Sequence, residues 1–589
     1  MSDDLSVERD PGHHTEQLPL ERIAAAVILG LLLSVLAAST LALLLATSKG
    51  LDLTDEGLYL LNALAPDDYV ENFTKSHLIW SPLLDLTGSV TGLRVLRLAA
   101  LLGAGAALGR SVALRARDAG RYGAVRAATL TAAVATAALA PTSWLPQSPG
   151  YNDLTVIAVL GICAVVVRLR RDLEPRSAVQ LAAAFAGLWW LLLLAKWPSA
   201  IALGGLCTLV ALPTLRRLSG REALRVVAAA AGALLACVVI TQLWLEPIPD
   251  IVSGLRAGAS SVSGTHGTSA LLEGYAHDVV DLLRTVGRRW WLLLLGCGIG
   301  ALVARPHLRR LGEALFVAAI VAVLAVSAVQ GSFDGGVRVA WAFGQILPTV
   351  LVFAACVLGV AALSCAEVRR RLGGVPWLAV ALVAVAPLVG ALGSNNPLWY
   401  GAGSLSACWV AALLLVLVPV FGPSIAVDAT ALVLSVAVAA AAVAGTWLHP
   451  YRQVPLREVD TRISAGPAEG LTVDRPTAEL ITAVQSLAGD GASVVTVWKR
   501  PGLAFAAGAA QPVNGWLSST FPARAVASLQ EACLRPGTVV LLHETPEPPP
   551  EIRVALDEGP CATRDFRPAD AIEAPDGQWL RVLVADPAG

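Results

Sequence analysis

Apolar stretches of about 17 to 25 residues recur along this 589-residue chain, and that recurrence constrains the fold more than any other feature. A run of that length crosses about 30 Å of hydrocarbon as a helix, the form that satisfies its own backbone where water is absent. Such runs lie near 23–46, 92–108, 123–140, 151–167, 178–195, 198–215 and 223–245. Six more lie near 290–304, 314–330, 340–365, 375–393, 404–421 and 425–447. With 56% hydrophobic and 15% charged residues the chain is far from the roughly 25% charge of soluble domains. The sequence therefore predicts a polytopic α-helical membrane protein of about thirteen transmembrane helices. The first run is too long for a secretory signal and lacks a small-residue cleavage site, so it reads as a retained helix. Only Lys196, Trp197 and Pro198 separate the fifth and sixth runs, where a tight hairpin is expected because one helix of that total length is implausible.

Charge placement orients the helices, because cytoplasmic loops carry the Lys and Arg excess. With the N-terminus inside, the inner loops hold Arg110, Arg115, Arg117 and Arg121, then Arg168, Arg170, Arg171 and Arg176, then Arg216, Arg217, Arg221 and Arg225. Later ones hold Arg305, Arg309 and Arg310, and Arg369, Arg370 and Arg371. Merging the hairpin would invert every later loop. The expected localisation is the cell membrane, with a cytoplasmic N-terminal tail (1–22), a membrane domain (23–447) and an extracytoplasmic C-terminal domain (448–589). The net charge of −1 is silent on partners, and nothing points to nucleic acid.

After Trp447 the composition becomes that of a globular domain. Helical PTAELITAVQSLAGDG leads into strand-like SVVTVWK, helical ARAVASLQEACLRPG leads into TVVLLHE, and QWLRVLVAD is a further strand. This alternation predicts a small α/β domain. Seven cysteines fall in apolar runs as packing residues, while Cys533 and Cys561 lie in the tail, either bridged or as two separate thiols.

The first outer loop, 48–91, is too long for a connector and is acidic. Its first part has the spacing of a helix lying on the membrane surface. Asp52, Asp55, Glu56, Tyr59, Lys75 and His77 are packed there, suited to a general base, to oxygen ligation of a divalent cation and to holding a leaving phosphate. The plainer account makes Thr54 the cap of a helix whose first turn carries Asp55 and Glu56, with Lys75 among lipid headgroups.

The order of these residues favours the first. DEGLYLLNAL follows the first membrane helix, then come Lys75, Ser76 and His77, then Ser81, Pro82 and Leu83, then LRVLRLAALL opening the second. This arrangement resembles the GT-C superfamily of polyprenyl-phosphate-sugar-dependent glycosyltransferases, in particular the protein O-mannosyltransferases and lipid A aminoarabinose transferases. Matching positions are Asp55, Glu56, Tyr59, Lys75, His77, Pro82 and Arg97, though Leu78 and Ile79 stand where the family has prolines. The resemblance is strongest over the first hundred residues and leaves the C-terminal domain uncovered. It implies a GT-C-like fold, Asp55 as the carboxylate that activates the acceptor, Glu56 supporting it or a divalent cation, and Lys75 on the lipid-linked phosphate. The implied partners are a polyprenyl-phosphate sugar donor, an extracytoplasmic acceptor and the bilayer. No cofactor is required by any motif, and a divalent cation on Asp55 and Glu56 is the one to test.

Further candidates face the same side. Lys196 at the hairpin, with Arg284, Arg288 and Arg289, is placed to meet a lipid phosphate or to anchor at the interface. Tyr151 and Asn152 follow PTSWLPQSPG and line a sugar pocket or, with Asp153, begin a capped helix. Trp399 and Tyr400 in SNNPLWYG stack on a sugar or sit at the interface as aromatic residues do. His266 lies in a Gly/Ser-rich loop. A transporter or flippase is the competing class, but intramembrane charge and internal repeats are not evident. A non-catalytic scaffold of the same fold has no use for the acidic pair.

Overall fold

The computed structural model describes residues 19–69, 72, 74–118, 123–170, 173–263, 268–331, 336–393, 396–489, 491–513, 515–517, 519 and 522–587. The expectations for Arg121, Arg171, His266, the Ser394–Asn395 start of SNNPLWYG and most of the N-terminal tail concern residues outside these.

Every apolar run is helical. After α1 (Pro19–Ala46), the first loop forms α2 (Asp55–Leu64) and α3 (His77–Thr87). Then come α4 (Val90–Asp118), α5 (Ala124–Ala137), α6 (Tyr151–Arg168), α7 (Pro175–Leu215) and α8 (Gly220–Ile240). The second long loop forms α9 (Ile248–Ser263) and α10 (Thr268–Arg288). The bundle ends with α11 (Trp290–Val303), α12 (Arg309–Val329), α13 (Gly336–Ser364), α14 (Ala366–Leu372), α15 (Trp377–Ala391), α16 (Leu398–Gly403), α17 (Ser406–Phe421) and α18 (Ile425–Leu448). Among the described residues nine helices are long and apolar enough to cross a membrane, or eleven if each of two bent pairs is one span.

One of the nine is α7, whose 41 residues would extend about 60 Å if straight, twice the hydrocarbon thickness. It is not straight. Lys196 leaves helical geometry (φ −158°, ψ 79°), and the Trp189 indole N–H donates to the Ala200 carbonyl at 2.8 Å. A methyl on Gly204 would meet the same indole at 2.6 Å, although fifteen helical residues span about 22 Å. The chain thus turns back at Lys196, as the expected hairpin requires.

Contacts sort the bundle into two ends. At one, Arg309 and Arg371 donate to the Phe421 and Val420 carbonyls, Arg126 pairs with Asp428 at 2.9 Å, and Arg310 faces Glu21. At the other lie the end of α1, α2, α3, the starts of α4 and α6, and the end of α18.

The C-terminal domain adds β1 (Thr461–Arg462), β2 (Thr472–Val473), α19 (Arg475–Ala488), β3 (Ser493–Val497), α20 (Gly502–Ala507), α21 (Pro522–Leu534), β4 (Val539–His543), α22 (Pro550–Asp557), β5 (Phe566–Glu573) and β6 (Trp579–Ala585). Its main sheet runs β3-β4-β6-β5, with β3 and β4 parallel and the remaining pairs antiparallel. Parallel β3 and β4 are buried throughout because helices cover both faces. Val495, Val497 and Leu541 pack toward Leu529 of α21 and Ile552 of α22, beside a Cys533–Cys561 disulfide. Val494, Val540 and Leu542 on the other face pack with Leu480 and Ile481 of α19, Phe505 of α20, and Leu60 and Leu61 of α2. The expected surface helix is therefore corrected: α2 has its apolar side, but a folded domain covers it instead of lipid.

Candidate active site

Glu56 and Arg94 build the floor of the site. Both side chains are buried, and Arg94 Nη2 meets Glu56 Oε1 at 2.8 Å. That oxygen also accepts from Ser148 N–H, while Oε2 accepts from Asp52 N–H at 2.9 Å. Arg94 spends its other donors on the Thr47, Lys49 and Gly50 carbonyls and on Ser148 Oγ. A buried pair survives only when its remaining hydrogen bonds are made, and here they tie the end of α1, the head of α2, α4 and the loop before α6. Both Glu56 oxygens are engaged by these bonds. Among the described residues no group of three or more His, Cys, Asp or Glu gathers to hold a metal.

Thr54 stands at the N-cap of α2, as the plainer sequence reading had it, but its side chain makes no capping bond and Asp52 supplies one instead. Asp52 Oδ2 accepts from Glu56 N–H at 3.0 Å and Oδ1 from Thr54 N–H at 3.1 Å, satisfying donors that the first helical turn leaves open. Its burial, opposed by the Glu56 N–H bond, pushes the carboxyl up to about 7.

Asp55 differs from both neighbours. About a quarter of its side chain is exposed, and its Oδ2 accepts the Tyr451 phenol O–H with Arg452 Nη1 at 3.8 Å. One turn on, Tyr59 is half-buried, and loss of solvent around its hydroxyl drives the phenol well above the usual range. It meets Tyr151 edge to face at 6.1 Å, and a methyl on Gly150 would strike its ring at 2.4 Å. Lys196 extends from the hairpin turn over the Tyr151 ring at 5.9 Å and donates to the Gly390 and Ala391 carbonyls at 3.1 and 3.2 Å. Asn152 is half-buried beside Tyr151. Asp153 accepts from Gly150 N–H at 3.0 Å and pairs with Arg97 at 2.6 Å, so it caps α6 while holding α4.

The basic half lies on α3 and the residues before it. Lys75 is fully buried with Nζ 2.7 Å from Glu246 Oε1, and its N–H donates to the Leu194 carbonyl. His77 is buried, and neither ring nitrogen has a hydrogen-bond partner among the described residues. Burial and then the nearby Lys75 charge lower it to about 3, leaving a neutral imidazole. It lines, with Tyr59, Asn62 and Trp80, a cavity of about 10 Å³ between α2 and α3, room for about one water. Tyr59 therefore joins the acidic and basic halves.

Two aromatic candidates stand elsewhere. Trp399 is wholly buried against Gly344 and donates its indole N–H to the Asp278 carbonyl at 2.9 Å, so no ring face is open for stacking. Tyr400 packs on Trp144 at 5.2 Å, beside the loop that leads to Tyr151. Sequence reasoning passed over Arg94, Glu246, Tyr451 and Arg452. Arg94 and Glu246 do leave a signal, a charge at the edge of an apolar run; Tyr451 and Arg452, directly after the last helix, leave none.

No family model matches the chain, and no curated protein matches it. Two solved structures are similar to it, ArnT from Cupriavidus metallidurans in the apo state and ArnT from the same organism bound to undecaprenyl phosphate. Each is 16% identical with a TM-score of 0.39, and the match covers 94% of this chain and 97% or 98% of that chain.

Proposed function

We propose that this protein is a membrane glycosyltransferase of the GT-C type, moving a sugar from a polyprenyl-phosphate donor to an acceptor outside the cytoplasm. The observation that carries this reading is the unequal state of the three loop acids. Asp52 and Glu56 are buried in bonds that build the loop, while the Asp55 side chain stays about a quarter exposed, the state in which a carboxylate can serve as a base. The Arg-rich end of the bundle faces the cytoplasm by the positive-inside rule, and the disulfide fits an oxidising compartment for the opposite end.

In the reaction the acceptor hydroxyl oxygen attacks the anomeric carbon while Asp55 takes its proton. The sugar–phosphate bond breaks with its electron pair on the leaving polyprenyl phosphate, and a single displacement inverts the anomeric centre. Lys75 neutralises that phosphate, exchanging Glu246 for it.

Asp55→Asn is expected to lower transfer from a lipid-linked donor by at least about a hundredfold with insertion intact, the scale of losing a general base. Transfer at the wild-type rate in that variant rules the assignment out. Lys75→Met made together with Glu246→Gln, so that no charge is left buried alone, is expected to weaken donor binding while the protein still folds. Unchanged donor binding removes Lys75 from the site.

A further inference from the structure

The segment between α18 and the C-terminal domain reaches the candidate base directly. It is fixed on both sides: Trp447 Nε1 donates to the Ala42 carbonyl at 3.0 Å, and Lys49 Nζ donates to the Val459 carbonyl at 3.4 Å. Between those anchors Tyr451 gives its phenol O–H to Asp55 Oδ2. Arg452 stacks over the Tyr451 ring, its guanidinium carbon 4.9 Å from the centroid, and donates to Thr54 Oγ1 at 2.9 Å. Thr54 Oγ1 in turn donates to Asp52 Oδ1 at 2.8 Å, so the segment is wired into the cap of α2. Arg452 has φ +50°, a left-handed conformation that non-glycine residues keep where surrounding contacts demand it.

We propose that Tyr451 and Arg452 are positioning residues for Asp55, holding Oδ2 so that Oδ1 is presented to the acceptor hydroxyl. The inference rests on Asp55 being the base. An ionised carboxylate offers about four acceptor positions, and among the described residues both contacts fall on Oδ2 while none is made to Oδ1. A base held by a third group is the general arrangement that aligns proton transfer. Here the holding group comes from the far end of the membrane domain, about four hundred residues after the base, so the attachment of the C-terminal domain is part of the active site.

The full chain in lipid nanodiscs is given the polyprenyl-phosphate–sugar fraction and the delipidated envelope of its own host, and release of free polyprenyl phosphate reads the rate. Tyr451→Phe, which keeps the ring under Arg452, is expected to lower kcat about tenfold or more, the scale of one hydrogen bond to a charged group. Its apparent KM for the lipid fraction stays within about twofold, because the contact orients the base and does not bind the donor. Arg452→Gln gives a smaller loss of the same kind and carries the test should Tyr451→Phe fail to insert. Wild-type kcat in both variants overturns the proposal, and so does a loss confined to KM. Asp55→Asn separates the two levels: if it is inactive while both variants are normal, only the positioning role falls. If Asp55→Asn retains transfer, the base assignment falls first.

Discussion

Asp52, Asp55 and Glu56 share one stretch of five residues, and their surroundings give each a different task. Removing the Glu56 carboxylate, as in Glu56→Ala, leaves the Arg94 guanidinium buried beside three carbonyls and the Ser148 hydroxyl, with no counter-charge. That change is expected to cost about 3–5 kcal/mol, read as a large drop in thermal unfolding temperature in detergent; an unchanged melting point contradicts the clamp. Asp52 gives a pH dependence. Its native carboxyl titrates near 7, above an unfolded value of 3.8, so its contribution to stability is present at low pH and lost as pH rises through about 7. His77, lowered to about 3, acts in the opposite sense, losing its contribution as pH falls. The difference between wild type and Asp52→Asn is therefore the quantity to measure. From pH 5 to 8 the wild-type melting temperature should fall relative to the variant, and parallel curves would show that burial does not raise Asp52. The sequence marked these acids as a cluster because they follow the first helix. Only the family resemblance singled out Asp55; the spacing did not show which acid would stay partly exposed, since Glu56 is engaged by Arg94, 38 residues beyond it.

At the scale of elements, helix periods and arginine placement were enough to find the thirteen apolar runs and the hairpin at Lys196. An amphipathic pattern states that a helix has an apolar face but not what covers it, which is why α2 read as a surface helix. What covers it is α20, at a backbone crossing that admits no side chain. A Cβ on Gly57 would lie 2.3 Å from Gly502 Cα, and one on Gly502 would lie 2.6 Å from Leu53 Cα. Backbone atoms cannot swing aside, so the elements must part, and the Gly502 N–H bond to the Leu53 carbonyl parts with them. Gly57→Ala is thus expected to increase proteolysis of the C-terminal domain and to lower transfer, whereas an exposed control such as Gly30→Ala, whose Cβ meets nothing within 4 Å, leaves both unchanged. Equal protease resistance in Gly57→Ala would mean that the crossing tolerates separation.

The whole molecule puts the acidic loop, the hairpin turn and the C-terminal domain at one end and the arginine-rich loops at the other. Contacts fix this division without saying which end faces the cytoplasm; that step comes from the charge bias, since a membrane potential and anionic inner-leaflet lipids retain Lys and Arg on the inside. The proposed chemistry depends on it, because an inverted chain would put Asp55 and Lys75 in the cytoplasm. Two exposed arginines mark the ends, Arg370 on α14 and Arg567 on β5, with side chains 78% and 68% exposed. In intact cells a membrane-impermeant maleimide is expected to label Arg567→Cys and to label Arg370→Cys only after the membrane is opened. Neither arginine touches the site, and the native thiols of the membrane domain are half-buried or buried, so the signal reports side and not function. The reverse pattern would place the base in the cytoplasm and require a donor made and consumed on that face, with the disulfide then held in a reducing compartment.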